Sequence, residues 1–221
     1  MKKVLLLTAL LCVGIIKAQE DTKDKFILEK GTWNLSGNFA FGFNDGDSNG
    51  IDTSSDENTT FIEISPTVGY FFNNNFQVGL GLGYGYRDSD FEFVNNGAII
   101  NRNIEDHTFS VYPYARKYFG LKKNFAFYLQ GEGRYSRSSR EQNLTEIPDT
   151  DFDSSSDSFF IGIRPGLTFF VSNSFAFETT LGSLGYTHTS FDDDGNTTGD
   201  FKSFDFNLSS SDLFFGLSYY F

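Results

Sequence analysis

Chemistry in this chain has three places to reside: a set of charged residues in regularly alternating segments, two histidines, and one acid-rich motif. The charged set is Glu63, Arg87, Arg116, Glu132, Arg134, Arg164 and Glu178, with Tyr112, Tyr114, Tyr118 and Tyr128 on the same faces of their segments. If those segments are strands, a period of two sends all of these side chains to one side. Gathered in a narrow interior they form either an ion pathway with charged walls or a packed polar plug. A ring of eight strands leaves room for little beyond side chains, and opposite charges there pair and hydrogen-bond, so the plug is the favoured reading. Glu132 and Arg164 are expected to face each other, because they lie at similar depth on neighbouring antiparallel segments.

His107 and His188 are the two histidines. Ser190 or Asp192 near His188 raises the idea of a surface hydrolase or acyltransferase. Such chemistry needs a base held by an orienting partner at hydrogen-bond distance, and the spacing supplies none. No catalytic residue is assigned. The motif Asp45-Gly46-Asp47-Ser48-Asn49-Gly50 has calcium-ligand spacing, with oxygens at Asp45, Asp47, Asn49, the Ile51 carbonyl and Asp56, and Gly50 permitting the turn. It departs from the EF-hand pattern in its last ligand, an Asp, and in its flanks, which read as strands. The competing reading is a flexible acidic loop without metal. No other cofactor is expected, and the sequons at Asn58, Asn143 and Asn196 are read as accidental.

The elements that must carry these residues are strands. From Phe76 to Arg87, Phe76, Val78, Leu80, Leu82, Tyr84 and Tyr86 form one face, while Gln77, four glycines and Arg87 form the other. One face suits lipid and the other a narrow polar interior. The same alternation marks eight segments, roughly 31–43, 61–72, 76–87, 107–119, 125–136, 159–171, 175–187 and 208–221. Outward faces are expected at Trp33, Leu35, Phe39, Phe41 and Phe43, at Ile62, Ile64, Val68 and Tyr70, and at Phe109, Val111, Ala115 and Phe119. They continue at Ile161, Ile163, Leu167 and Phe169, and at Leu213, Phe215, Leu217, Tyr219 and Phe221. Leu184 disturbs the seventh segment and suggests a bulge. A repeat supports the count: Ile64-Ser65-Pro66-Thr67-Val68, Val111-Tyr112-Pro113-Tyr114-Ala115 and Ile163-Arg164-Pro165-Gly166-Leu167 recur in phase.

Connections alternate in length. Those at 73–75, 120–124 and 172–174 are short, and those at 44–60, 88–106, 137–158 and 188–207 are long and acidic. In transmembrane barrels short turns lie in the periplasm and long loops outside. The fold class is therefore all-β, an eight-stranded antiparallel up-and-down transmembrane barrel. A soluble barrel of lipocalin type would need its apolar residues inside.

Composition agrees. The chain has 28 Phe and 11 Tyr against one Trp, and its aromatic content of 18% fits a barrel that shows a whole face of each strand to lipid. Met1-Lys2-Lys3, an apolar run over Val4–Ile16 and Ala18 read as a signal peptide cleaved after residue 18. The run is too short for a membrane helix. A lipoprotein signal is rejected because Leu11 precedes Cys12 where a small residue is needed. Cys12 leaves with the signal, so no disulfide is expected. Removal of Lys2, Lys3 and Lys17 takes the formal charge from −12 to −15, which argues against nucleic acid as a partner. The expected layout is a signal at 1–18, an N-terminal periplasmic segment at 19–30 and a barrel at 31–221.

With the signal, the alternating strands and the closing segment Leu213-Phe214-Phe215-Gly216-Leu217-Ser218-Tyr219-Tyr220-Phe221 in view, the chain resembles small outer-membrane barrels of OmpA/OmpX type. It is also similar to the outer membrane β-barrel domain and porin-family proteins of Bacteroidetes, and the Ala18-Gln19 junction fits that group. The resemblance implies location in the outer membrane of a Gram-negative cell, contact with its lipid, and a monomer. It also implies recognition of Phe221 by the barrel-assembly machinery. Fold does not fix function in this superfamily, whose members include adhesins, narrow channels, proteases and lipid-modifying enzymes. The expected role is structural or surface-interacting, with a narrow porin as the alternative and a lipid-modifying enzyme behind both. Ligand and binding partner are not legible in the residues.

Overall fold

The computed structural model describes residues 27–49, 53–95, 98–144, 152–193, 196–207 and 214–221. The signal reading lies outside them. The strands are β1 (Trp33–Asn49), β2 (Thr53–Asn73), β3 (Phe76–Asn95), β4 (Ala98–Lys122), β5 (Phe125–Leu144) and β6 (Phe152–Phe170). They continue with β7 (Phe175–Thr180), β8 (Ser183–Asp193), β9 (Asn196–Asn207) and β10 (Phe214–Tyr220). β1 to β6 pair consecutively and antiparallel. β6 then pairs with β7 along its C-terminal part and with β8 along its N-terminal part, so β7 and β8 are two halves of one strand. β9, beside β8, and β10, beside β7 and β1, form the two halves of the eighth. Pairing of β10 with β1, from Asn34↔Tyr220 to Phe39↔Phe215, closes the ring of eight.

Two expectations about the elements are corrected. Most of the connections at 44–60, 88–106, 137–158 and 188–207 are strand: β3 and β4, for example, stay in register from Phe76↔Lys117 to Asn95↔Ala98. The apolar alternation stops where lipid would stop, but Ser, Thr and Asn continue the ladder beyond it, because backbone pairing needs no apolar face. On β3, Tyr84 and Tyr86 point outward and are followed on that face by Asp88, Asp90 and Glu92, while Phe91 and Phe93 turn inward. Of the last segment expected at 208–221, β10 covers Phe214–Tyr220, and residues 208–213 lie outside the described residues. The irregularity in the seventh strand sits at Leu181–Gly182 rather than at Leu184. Gly182 has φ 130°, a backbone conformation that only glycine adopts without strain.

The repeated prolines explain part of this. Each removes a ladder donor on the side of the following strand. Register between β2 and β3 skips Ser65 and Pro66, and between β4 and β5 it skips Tyr112 and Pro113. At Pro165 the gap coincides with the break between β7 and β8, where Leu181 N–H donates to the Pro165 carbonyl at 2.9 Å.

The glycine face of β3 has a packing reason. Gly79 lies opposite Tyr114 and Gly81 opposite Tyr112. A Cβ at either glycine would overlap the facing tyrosine ring. The glycines therefore make the space in which two inward tyrosines lie against the barrel wall.

At the end with the short turns the interior is apolar. Phe71, Tyr118, Ala126, Tyr128, Phe170, Ala176 and Tyr220 form one buried cluster, and Leu28, from the segment before β1, completes it. Leu28 N–H donates to Asn75 Oδ1 at 2.8 Å, Asn75 N–H returns a bond to the Leu28 carbonyl at 2.9 Å, and Gly31 N–H donates to the Phe71 carbonyl at 2.9 Å. The outer surface is the reverse of a soluble protein's: Phe39, Phe41, Phe43, Leu82, Phe109, Ile161 and Leu217 are each more than half exposed.

Candidate functional site

The interior is layered along the barrel axis. Directly above the aromatic cluster, Glu178 on β7 accepts hydrogen bonds from Arg116 Nη1 (2.7 Å), Tyr220 Oη (2.7 Å) and Tyr118 Oη (3.3 Å). Arg116 also donates through Nε to Gln130 Oε1 at 2.8 Å, and its guanidinium carbon lies 4.2 Å from the Tyr128 ring centroid. Alternation places these residues inside: β4 supplies Arg116 and Tyr118, β5 Tyr128 and Gln130, β7 Glu178 and β10 Tyr220. A charge this dry persists because both carboxylate oxygens of Glu178, and Nε and Nη1 of Arg116, have partners.

The next layer centres on Glu132, whose side chain is fully buried. Its Oε1 accepts from Arg164 Nε at 2.9 Å and from Arg134 Nε at 3.1 Å, and its Oε2 accepts from Gln130 Nε2 at 2.6 Å. The pairing of Glu132 with Arg164 is the one expected from the sequence. It is diagonal: Glu132 lies opposite Gly162, and Arg164 opposite Gln130. Arg134 also stacks on Tyr112, 3.8 Å from its ring centroid. Between the two layers is a polar cavity of about 120 Å³ that Glu63 and the three arginines line. Glu63 keeps partial exposure and its near contact is Ser65 Oγ, at 3.4 Å.

Above this layer the barrel opens into a wider vestibule of about 660 Å³ toward the long hairpins. Arg87 stands here, apart from the lower network, with its guanidinium carbon 5.4 Å from the Phe61 ring centroid. Asp106, opposite Arg87 in the β3–β4 register, is held instead by Arg140 through two bonds of 2.6 and 3.0 Å. Of the seven charges read as one lumen set, the structure thus joins five in two layers and places Glu63 and Arg87 at their upper margin.

Several members of these layers went unread in the sequence. Asn34 and Gln77 are fully buried and bonded at 2.9 Å, and amides draw less notice than charges although they lie on the same alternating face. Tyr220 was masked by its place in an aromatic closing segment. Asp106 and Arg140 fell in segments read as loops.

The histidines lie on the outward face. His107 Nδ1 is 3.0 Å from Tyr84 Oη, and His188 Nε2 is 3.6 Å from Asp200 Oδ2. Among the described residues neither is within hydrogen-bond distance of a serine hydroxyl. Asp200 is bound by Lys202 Nζ at 2.7 Å, which holds its carboxyl below the ordinary value. The calcium-like motif is not a compact loop. Asp45, Asp47 and Asn49 belong to β1 and Asp56 to β2, with Asp47 directly opposite Asp56. Ile51 lies outside the described residues. Among the described residues no three acids or histidines converge as a metal requires. Phe221 sits exposed at the rim, its backbone exchanging bonds of 2.7 and 3.0 Å with Trp33.

The sequence model of the family described as "Outer membrane protein beta-barrel domain" matches residues 5–221. No curated protein matches the chain. Among solved structures, the outer membrane protein OprG from Pseudomonas aeruginosa aligns over 87% of this chain and 97% of its own, at 15% identity and a TM-score of 0.50. Neisserial surface protein A aligns over 86% and 99% at 14% identity, with a TM-score of 0.43. Ail, the attachment invasion locus protein of Yersinia pestis, aligns over 87% and 99% at 12% identity, with a TM-score of 0.42. At these identities the likeness is one of fold.

Proposed function

The chain belongs to the outer membrane protein β-barrel family and resides in the outer membrane, and from that premise we propose that it is a non-conducting barrel that presents tall polar hairpins at the cell surface. The observation that carries this reading is the stacking of bonded side chains across the short-turn half. Two charge layers, at Glu132 and Glu178, rest on an aromatic cluster that Leu28 caps. A hydrated ion that had passed Arg87 would meet arginines already paired, then Tyr118, Tyr128 and Tyr220 already bonded, with no row of free ligands to replace its water.

The short turns face the periplasm and the hairpins the medium, as their lengths suggest. The outward acids Asp88, Asp90 and Glu92 then stand beyond the lipid band and repel a close anionic surface, while the arginines of the Glu132 and Glu178 layers stay shielded. Residues 1–18 direct secretion and are removed. The test is liposome swelling with small sugars and amino acids. The folded protein should give the rate of protein-free liposomes. Size-dependent swelling would favour the narrow porin instead.

A further inference from the structure

We propose that the vestibule above the Glu132 layer is a binding site for an acidic saccharide. This deepens the closed-barrel reading and rests on it, because a vestibule with a closed floor holds a ligand rather than passing it. The cavity, about 660 Å³, lies within the range of small-molecule sites. Its wall has the mixed chemistry that a sugar requires. Hydroxyls project from Thr108, Ser110, Ser136 and Ser138 on β4 and β5, and from Ser154 and Ser156 on β6. Phe61 and Phe191 offer aromatic faces on which the C–H side of a pyranose ring packs. Gly85 leaves the β3 wall bare, since a Cβ there would meet nothing closer than Thr108 Cβ at 3.7 Å.

Arg87 supplies the preference for an acid. Its cross-strand neighbour Asp106 is engaged by Arg140 through both oxygens. Among the described residues no carboxylate lies within ion-pair distance of Arg87, and its guanidinium is held over Phe61. A guanidinium fixed by stacking, with its donors free, accepts a carboxylate in two parallel bonds. Surrounding hydroxyls then bond the ring oxygens. The ligand's carboxylate would come from a uronic or sialic acid unit, whether of a free oligosaccharide or of a glycan on another surface.

The experiment is isothermal titration of the folded protein in detergent with trigalacturonic acid, and with maltotriose as the neutral probe. Expected is binding of trigalacturonic acid that exceeds maltotriose by about tenfold, as one charge-assisted pair provides. Arg87→Gln should abolish that preference, and Arg137→Gln, on the outer face, should leave it intact. Gly85→Phe keeps Arg87 but fills the vestibule, and should abolish binding of both probes. The gel shift between folded and boiled protein verifies that each variant is folded before titration. Absence of binding, equal binding of the two probes, or binding unaffected by Gly85→Phe overturns the site. Titration in detergent does not depend on conductance, so swelling of liposomes together with intact binding would defeat the closed-barrel reading alone.

Discussion

At the scale of single residues, Glu132 is the sharpest case of sharing. One carboxylate serves Arg164, Arg134 and Gln130, so its loss strands two guanidiniums, whereas loss of Arg164 leaves Glu132 two partners. Glu132→Gln is therefore expected to destabilise by about 2–3 kcal/mol. That is below the roughly 3–5 kcal/mol of a fully dry pair, because the side chains of Arg134 and Arg164 keep 21% and 23% exposure. Arg164→Gln should cost about 1 kcal/mol. Urea unfolding of both singles and the double in lipid vesicles should yield a coupling of about 1 kcal/mol or more. Strict additivity would remove Glu132 from the centre of the network.

Elements show what alternation does and does not reveal. Facing was legible because a one-residue slip would exchange lipid and lumen sides along a whole strand, as on β3, where Val78 to Tyr86 point out and Gln77 to Arg87 point in. Strand ends were not, because Ser, Thr, Asn and Asp pair in a ladder as well as they populate a loop, as at Thr59↔Ser89 and Thr108↔Ser138. The proline repeat was visible in the sequence, but its meaning, a gap in pairing toward the following strand, needed the register. The same holds for the glycines, whose partners across the strand are tyrosines. Gly81→Val should force the Tyr112 ring off its seat and lower stability by about 1–3 kcal/mol. Gly85→Ala should change it by less than about 0.5 kcal/mol, since the new methyl meets only ordinary contact distance. Equal effects of the two substitutions, measured by thermal or urea unfolding, would contradict the seat.

At the scale of the whole molecule, the fold turns a soluble protein inside out: aromatic residues cover the wall and charges fill the interior. The proposed orientation, with the short turns in the periplasm, can be read directly because the sequence has no cysteine after residue 18. Ser139→Cys on the exposed face of the β5–β6 hairpin should react with an impermeant maleimide in intact cells. Lys123→Cys, at the short turn between β4 and β5, should react only after the outer membrane is permeabilised. The opposite pattern would invert the barrel and place the vestibule in the periplasm.

The closure of the lower half is the claim on which the rest depends, and single-channel recording in planar bilayers addresses it most directly. On the proposed reading, in which the Glu132 and Glu178 layers and the Leu28 cap close the lower half, the purified folded protein is expected to insert without discrete conductance steps. Recurrent steps of uniform size that vanish on heat unfolding of the same preparation would contradict a closed barrel.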